Sequence, residues 1–297
     1  MRRRFATLDV FTRDRFSGNP LAVVLDSEGL SDATMQAITR EFNLSETVFV
    51  LPPADRANRA KLRIFTSGAE LPFAGHPTVG TAVLLASGDA GGEAFVLEEG
   101  VGPVTCHVER RADGASHARF ALPRLPQHVG ELGDAADVAA ALGLELDDLG
   151  CDGFEPGLWS AGVAFAMVPV RSLDAAARAH VDIGRWGDAF GAQRSTGAFV
   201  FCAETMEKGS AFHARMFAPL MGVTEDPATG SAAAAFAGLV TRTVAQTDGE
   251  HAFVIEQGFE MGRPSRIVLS IATSGGRLVK AMIGGEAIRV SEGTIEA

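Results

Sequence analysis

Apolar and polar residues alternate over residues 5–11, and after the turn at 17–20 the run LAVVLD from Leu21 reads as a second extended segment. At Ser31 the period changes. Met35, Ile38 and Phe42 fall on one face of SDATMQAITREF, which predicts an amphipathic helix capped by Ser31 and ended at Asn43. ETVFVL (46–51) and KLRIFT (61–66) predict strands. Pro77 then suits a first helical turn, because its missing N–H would have no partner there, and the run after it carries a helix to Gly88. Residues 94–122 predict short strands broken by Gly100, Gly102 and Gly114, and PRLPQ (123–127) predicts a crossing. Beyond it, AADVAAALGL (135–144) and SLDAAARAHV (172–181) predict helices, and GAFVFCA (197–203) and SAFHARMFA (210–218) predict strands. A helix is expected from Ser231. FVIEQGFEMGRPSRIVLSI (253–271) and residues 278–290 predict closing strands, the last without an obvious partner in the second half and so expected to return to the first.

The pattern repeats. ELPFAGHP (70–77) and EDPATGSA (225–232) each run from an acid through a proline to a glycine and a polar residue opening a helix-like run of small residues. Aligning Gly75 with Gly230 pairs Glu70 with Glu225, Pro72 with Pro227 and His76 with Ser231. Around them RIF (63–65) matches RMF (215–217), LEEG (97–100) matches IEQG (255–258), and GNPLAVVL from Gly18 matches GVAFAMVP from Gly162. The matches keep their order and their offset drifts slowly upward. This predicts duplicated halves separated by small insertions, residues 1–126 completed by 279–297, and 127–278.

Composition narrows the partners. A formal charge of −11 and a pI near 5.1 disfavour nucleic acid and anionic membrane surfaces, which reward clustered Lys and Arg. No apolar run approaches the roughly 20 residues that span a bilayer, and the basic start at residues 1–4 leads into a strand pattern rather than a signal core. Cys106, Cys151 and Cys202 are scattered like the reduced thiols of a cytoplasmic protein, and the histidines lack metal-ligand spacing, so no metal is expected.

Two helix starts facing each other across a pseudo-twofold cleft would line a site with backbone N–H groups, which suits a small carboxylate or an enolate. Glu46 stands at the mouth of a strand directly after the turn NLS. The pattern alone reads it as a solvated loop residue; its position reads as a general base, and burial without a cationic partner raises a glutamate toward working pH. His76 reads equally as a helix cap and as a site residue. Ser231 is expected to cap its helix, and Glu225 and Asp226 to complement the helix N-terminus electrostatically.

GNPLAVVLD, NLSETVFVL, RIFTSGAELPFAGHP, MFAPLMGVTEDPATGSAA and EQGFEMGRPS together resemble the phenazine-biosynthesis isomerase (PhzF-like) family of the diaminopimelate epimerase superfamily, in order and over nearly the whole chain. The resemblance implies an α+β fold of two pseudo-symmetric domains, each a barrel-like, mostly antiparallel sheet around a central helix, with the site between them. It implies a cofactor-independent isomerase that shifts a proton on a small-molecule carboxylate, Glu46 as the proton-shuttling residue, and Gly75, His76, Asp226, Gly230 and Ser231 lining the substrate pocket. A homodimer is implied by the resemblance alone. Epimerases of the superfamily carry a cysteine before each of the two glycines; here Ala74 and Thr229 stand there, which argues against two-cysteine racemisation. The candidate substrate is trans-2,3-dihydro-3-hydroxyanthranilate. A protein that captures a small anion in the same cleft without chemistry is the competing reading, and a surface-acting scaffold a third.

Overall fold

The computed structural model describes residues 1–86, 91–110, 114–151, 153–191, 197–243 and 247–297. Two compact units divide the chain, Met1–Pro123 with Ile283–Ala297 and Arg124–Met282. In chain order the first carries strands β1 (Arg2–Val10) and β2 (Asn19–Val24), helix α1 (Asp32–Phe42), strands β3 (Glu46–Leu51), β4 (Ala60–Phe65) and β5 (Glu70–Leu71), helix α2 (Gly75–Leu85), and strands β6 (Gly91–Glu99), β7 (Gly102–Arg110) and β8 (Ser116–Ala121). The second carries β9 (Gln127–Gly130), α3 (Ala135–Ala141), β10 (Gly157–Ser160), β11 (Ala164–Pro169), α4 (Leu173–Arg178), α5 (Trp186–Phe190), β12 (Gly197–Cys202), β13 (Phe212–Ala218), β14 (Val223–Asp226), α6 (Gly230–Thr243), β15 (Gly249–Gln257) and β16 (Ser265–Ser274). Residues 278–290 lie within one long strand, β17 (Arg277–Glu296), whose residues from Ile283 on belong to the first unit.

The first unit is a closed barrel of eight strands. β1 pairs with β2, and pairing continues through β3, β4, β6, β7 and β8 to β17, which returns to β1. Closure leaves no unpaired edge. Two neighbouring pairs are parallel, β2 with β3 and β4 with β6, and a parallel pair needs a crossover. α1 supplies the first. Ser31 accepts the Thr34 N–H at its start, and Asn43 ends it in the left-handed region, so the chain turns at once into β3. α2 supplies the second and packs against β1, β2, β3, β7 and β8. It is buried all round from Gly75 to Ala82, the composition of a helix enclosed by its sheet. Gly80 permits the close approach, since a Cβ there would stand 2.7 Å from the Leu21 and Val10 side chains. Gly88, the expected helix end, lies outside the described residues.

The second unit repeats the wiring. β11 and β12 are parallel across α4 and α5, β13 and β15 are parallel across α6, and β15 and β16 form a hairpin as β6 and β7 do. α6 packs against β9, β10, β11 and β16. Its Phe236 is fully buried, with Phe201 and Phe212 rings at 4.7 and 5.0 Å. Among the described residues no helix is long and apolar enough to cross a membrane.

Candidate active site

In the first unit Glu46 opens β3, opposite Leu21 of β2, immediately after the turn that Asn43 makes. Its neighbour Thr47 is buried, and its own side chain is 17% exposed. α2 approaches from the other side. β5 pairs with β4, Pro72 to Ala74 lead in, and the helix begins at Gly75 with Ala74 as an N-cap that has no side-chain acceptor. His76, its second residue, is buried and sets Nε2 3.3 Å from Glu46 Oε2. Burial pushes the imidazole down to about 3. At neutral pH this is therefore a contact between a carboxyl and a neutral imidazole, not an ion pair.

Below the helix start lies a second carboxyl. Glu99, the last residue of β6, is buried; burial pushes it up to about 8, with a hydrogen bond from Thr78 opposing. Thr78 Oγ1 lies 2.7 Å from the Ala74 carbonyl and 2.8 Å from Glu99 Oε1. Gly100 follows, where a Cβ would stand 2.8 Å from Pro72 Cα, and Val101 donates its N–H to the Pro72 carbonyl.

The second unit builds the corresponding turn before α6. Thr229 Oγ1 donates to Asp226 Oδ2 at 2.6 Å, and Gln257, the last residue of β15, donates from Nε2 to the Asp226 carbonyl and accepts the Thr229 N–H. Gly258 lies against Pro227 as Gly100 lies against Pro72. The ion pairs repeat as well. Arg63 forms a bidentate pair with Glu70 while lying over Phe65, and Arg215 forms one with Glu225 while lying over Phe217.

Two expectations change here. Glu225 does not complement the helix end; the guanidinium of Arg215 holds it, and that same guanidinium donates to the Ala176 and Ala179 carbonyls at the end of α4. Ser231 is not a cap but the second residue of α6, because the helix begins at Gly230 and the preceding hydroxyl, on Thr229, is committed to Asp226. Glu46, Gly75 and His76 stand together in the first unit; Asp226 immediately precedes the turn that leads to Gly230 and Ser231 in the second. Sequence reasoning missed Thr78, Glu99, Thr229 and Gln257. The LEEG and IEQG repeat contained the signal, since it aligns Glu99 with Gln257. Among the described residues no group of three or more His, Cys, Asp or Glu side chains could hold a metal ion.

The model of the phenazine biosynthesis-like protein family matches residues 8–293. The chain belongs to that family. An uncharacterized isomerase of Mesorhizobium japonicum is 50% identical, with 99% of this chain and 98% of the relative covered. The trans-2,3-dihydro-3-hydroxyanthranilate isomerase of Pseudomonas aeruginosa is 34% identical over 98% of each. A crystal structure of a phenazine biosynthesis protein of the PhzF family from Bacillus anthracis superposes with a TM-score of 0.89 at 26% identity, covering 100% of both chains. With that family the chain shares its two-unit α+β fold, and it is an isomerase.

Proposed function

We propose that the protein shifts a proton on a small carboxylate without a cofactor, with Glu46 as general acid and base and Gly75, His76, Asp226, Gly230 and Ser231 as substrate-binding residues. The observation that carries this reading is the 3.3 Å contact between Glu46 and the buried His76 at a helix start without a side-chain cap. A carboxylate there can take a proton from one carbon, and the acid so formed can return it to another carbon of the same molecule, so the reaction balances with no added reagent. Neutral His76 can meet a substrate heteroatom through either ring nitrogen without adding charge. The N–H groups at the start of α2 favour the negative charge that builds up as the proton leaves. On this reading the two units are duplicated halves, and the substrate is trans-2,3-dihydro-3-hydroxyanthranilate, the compound that the 34% identical relative is named for.

The test is solvent-proton exchange in deuterated buffer. That compound and a panel of small amino and hydroxy carboxylates would be presented to the wild type and to Glu46→Gln. Deuterium should enter one compound with the wild type, and turnover should fall at least about a hundredfold in the variant with substrate binding retained, the usual scale for a general base. An unimpaired variant would remove Glu46 from the mechanism, and binding without exchange by any compound would favour a non-catalytic anion-binding protein. A cytoplasmic homodimer completes the reading; light scattering on a size-exclusion column giving the monomer mass of 31.0 kDa would refute the dimer.

A further inference from the structure

The buried carboxyl of Glu99 has no part in the proton transfer just described, yet its surroundings are specific. Three observations bear on it. A threonine hydroxyl carries one hydrogen, and Thr78 Oγ1 has two acceptors within reach, the Ala74 carbonyl at 2.7 Å and Glu99 Oε1 at 2.8 Å. If that hydrogen goes to Ala74, the proton between Thr78 and Glu99 belongs to Glu99. The other carboxyl oxygen, Oε2, is buried with no hydrogen-bond partner among the described residues, a costly setting for a full negative charge. Third, the second unit sets the amide of Gln257 at the matching strand end, where it both donates and accepts around Thr229 and Asp226. An amide and a protonated carboxyl share that double character, which a carboxylate lacks.

We propose that Glu99 is a positioning residue, the neutral counterpart of Gln257, which through Thr78 tightens the first turn of α2 and so the place of Gly75 and His76 beside Glu46, and that loss of its proton loosens this turn. The functional half of this inference rests on the role of Glu46 proposed above. Once Glu99 is ionised, the Thr78 hydroxyl can satisfy the carboxylate only by turning from the Ala74 carbonyl, which then keeps the Thr78 backbone N–H, at 3.2 Å, as its remaining bond to Thr78. Gly100 and Val101 continue the same strand end onto Pro72, so the disturbance reaches the chain on both sides of Ala74. Titratable groups lie near Glu99 on three strands and on α2, and the one on β4 is Lys61, which pairs in register with Glu98 rather than with Glu99. On β7 the Cys106 thiol is pushed up by burial and by Glu99 itself; on α2 His76 is uncharged; on β6 Glu98 is held below the usual carboxylate range by the Asn58 amide and the Asp55 and Ala54 N–H groups. Lys61 is the one cation among these groups, and it acts on Glu98, not on Glu99.

The experiment follows glutamate carboxyl carbons and backbone amides by NMR between pH 5 and 10, in the wild type and in Glu99→Gln, alongside the pH profile of turnover. The wild type should contain one carboxyl, absent from the variant, that titrates near pH 8, with the Gly75 and His76 amide resonances moving on the same midpoint. Turnover should fall about tenfold per pH unit above it, as expected for a single required proton. In Glu99→Gln the amides should lose that transition, and the alkaline fall should disappear while activity at pH 7 stays within about twofold. A Glu99 that titrates in the ordinary carboxylate range, or amides of Gly75 and His76 indifferent to its titration, would overturn the proposal. An alkaline fall that survives the substitution would do the same. The wild-type resonances need neither a substrate nor a stable variant, so failure of every compound to turn over would count against the proposed function while leaving this proposal decided.

Discussion

Gly258→Ala tests how tightly the turn before α6 is built. Gly258 has φ +80°, and a Cβ there would stand 2.5 Å from the Arg263 carbonyl oxygen and 2.6 Å from that of Pro227. Both obstacles are backbone, and the Arg263 N–H is itself bonded to the Gly258 carbonyl, so neither can swing aside as a side chain would. The cost has two parts. Left-handed backbone costs an alanine about 1 kcal/mol, and forcing atoms into a packed site costs typically 1–3 kcal/mol more. The sum is about 3 kcal/mol, roughly a 150-fold change in the folding equilibrium at 1.4 kcal/mol per factor of ten. Gly262→Ala separates the parts, because Gly262 has φ +67° and nothing within 4 Å of the added carbon, leaving only the backbone cost of about 1 kcal/mol. Both tryptophans, Trp159 and Trp186, belong to the second unit, so urea unfolding followed by tryptophan fluorescence reports the unit that holds both glycines. Equal midpoints for the two variants would refute the steric argument. If the turn also positions the start of α6, Gly258→Ala lowers kcat/KM in conditions where it is fully folded, and Gly262→Ala does not.

His213 gives a pH test. Burial opposes its charge, but hydrogen bonds to Glu260 and Glu256, both at 2.9 Å, outweigh that and raise it above 6.5. Its contribution to stability is therefore full below about pH 6.5 and is lost as pH rises through the folded-state value; the fluorescence-detected stability difference between wild type and His213→Gln should shrink between pH 6 and 9, and a constant difference would contradict the assignment. The two ion pairs give a comparison. Glu225→Gln removes the bidentate partner of the buried Arg215, which keeps Glu260 at 3.9 Å and the Ala176, Ala177 and Ala179 carbonyls, and should cost about 2 kcal/mol, whereas Glu70→Gln, at a carboxylate 42% exposed, should cost less than about 1 kcal/mol by thermal unfolding. Equal losses would refute the burial argument.

Much of the fold is legible because the two units keep the same residues at the turns before α2 and α6. The arginine at the RIF and RMF positions, the acid ten residues or fewer beyond it, the proline and the glycine recur because each unit must bring a parallel crossover helix into its own sheet. The family followed from the same blocks. What the sequence withheld was mostly parity. In LEEG the two glutamates are adjacent, and only the pairing of Lys61 with Glu98 on β4 and β6 decides that Glu98 meets the 54–58 loop while Glu99 turns into the core. A one-residue slip would exchange them. Glu225 is opaque for a related reason: its closeness to α6 along the chain is visible in the sequence, but the Arg215 that claims it arrives through the β13 and β14 pairing. Ser231 has the appearance of a cap because it is a small polar residue before an alanine run, although Thr229, two positions earlier, does the local bonding.

Closure of the first barrel by β17 has a consequence for the order in which the protein is made. β17 follows the whole of the second unit in the chain, and it supplies the strand that joins β8 to β1. As the chain leaves the ribosome, Arg124 to Met282 emerges ahead of Ile283–Ala297, so the second unit has all its strands outside while the first still has an open edge on both β1 and β8, and the unit encoded first is finished last. Until then those edges are exposed to other nascent strands. Stalled chains that end at Met282 and continue into a flexible linker long enough to bring that residue out of the ribosome should therefore carry a protease-resistant second unit and a protease-sensitive first one, and resistance of both would show that the barrel does not wait for its final strand.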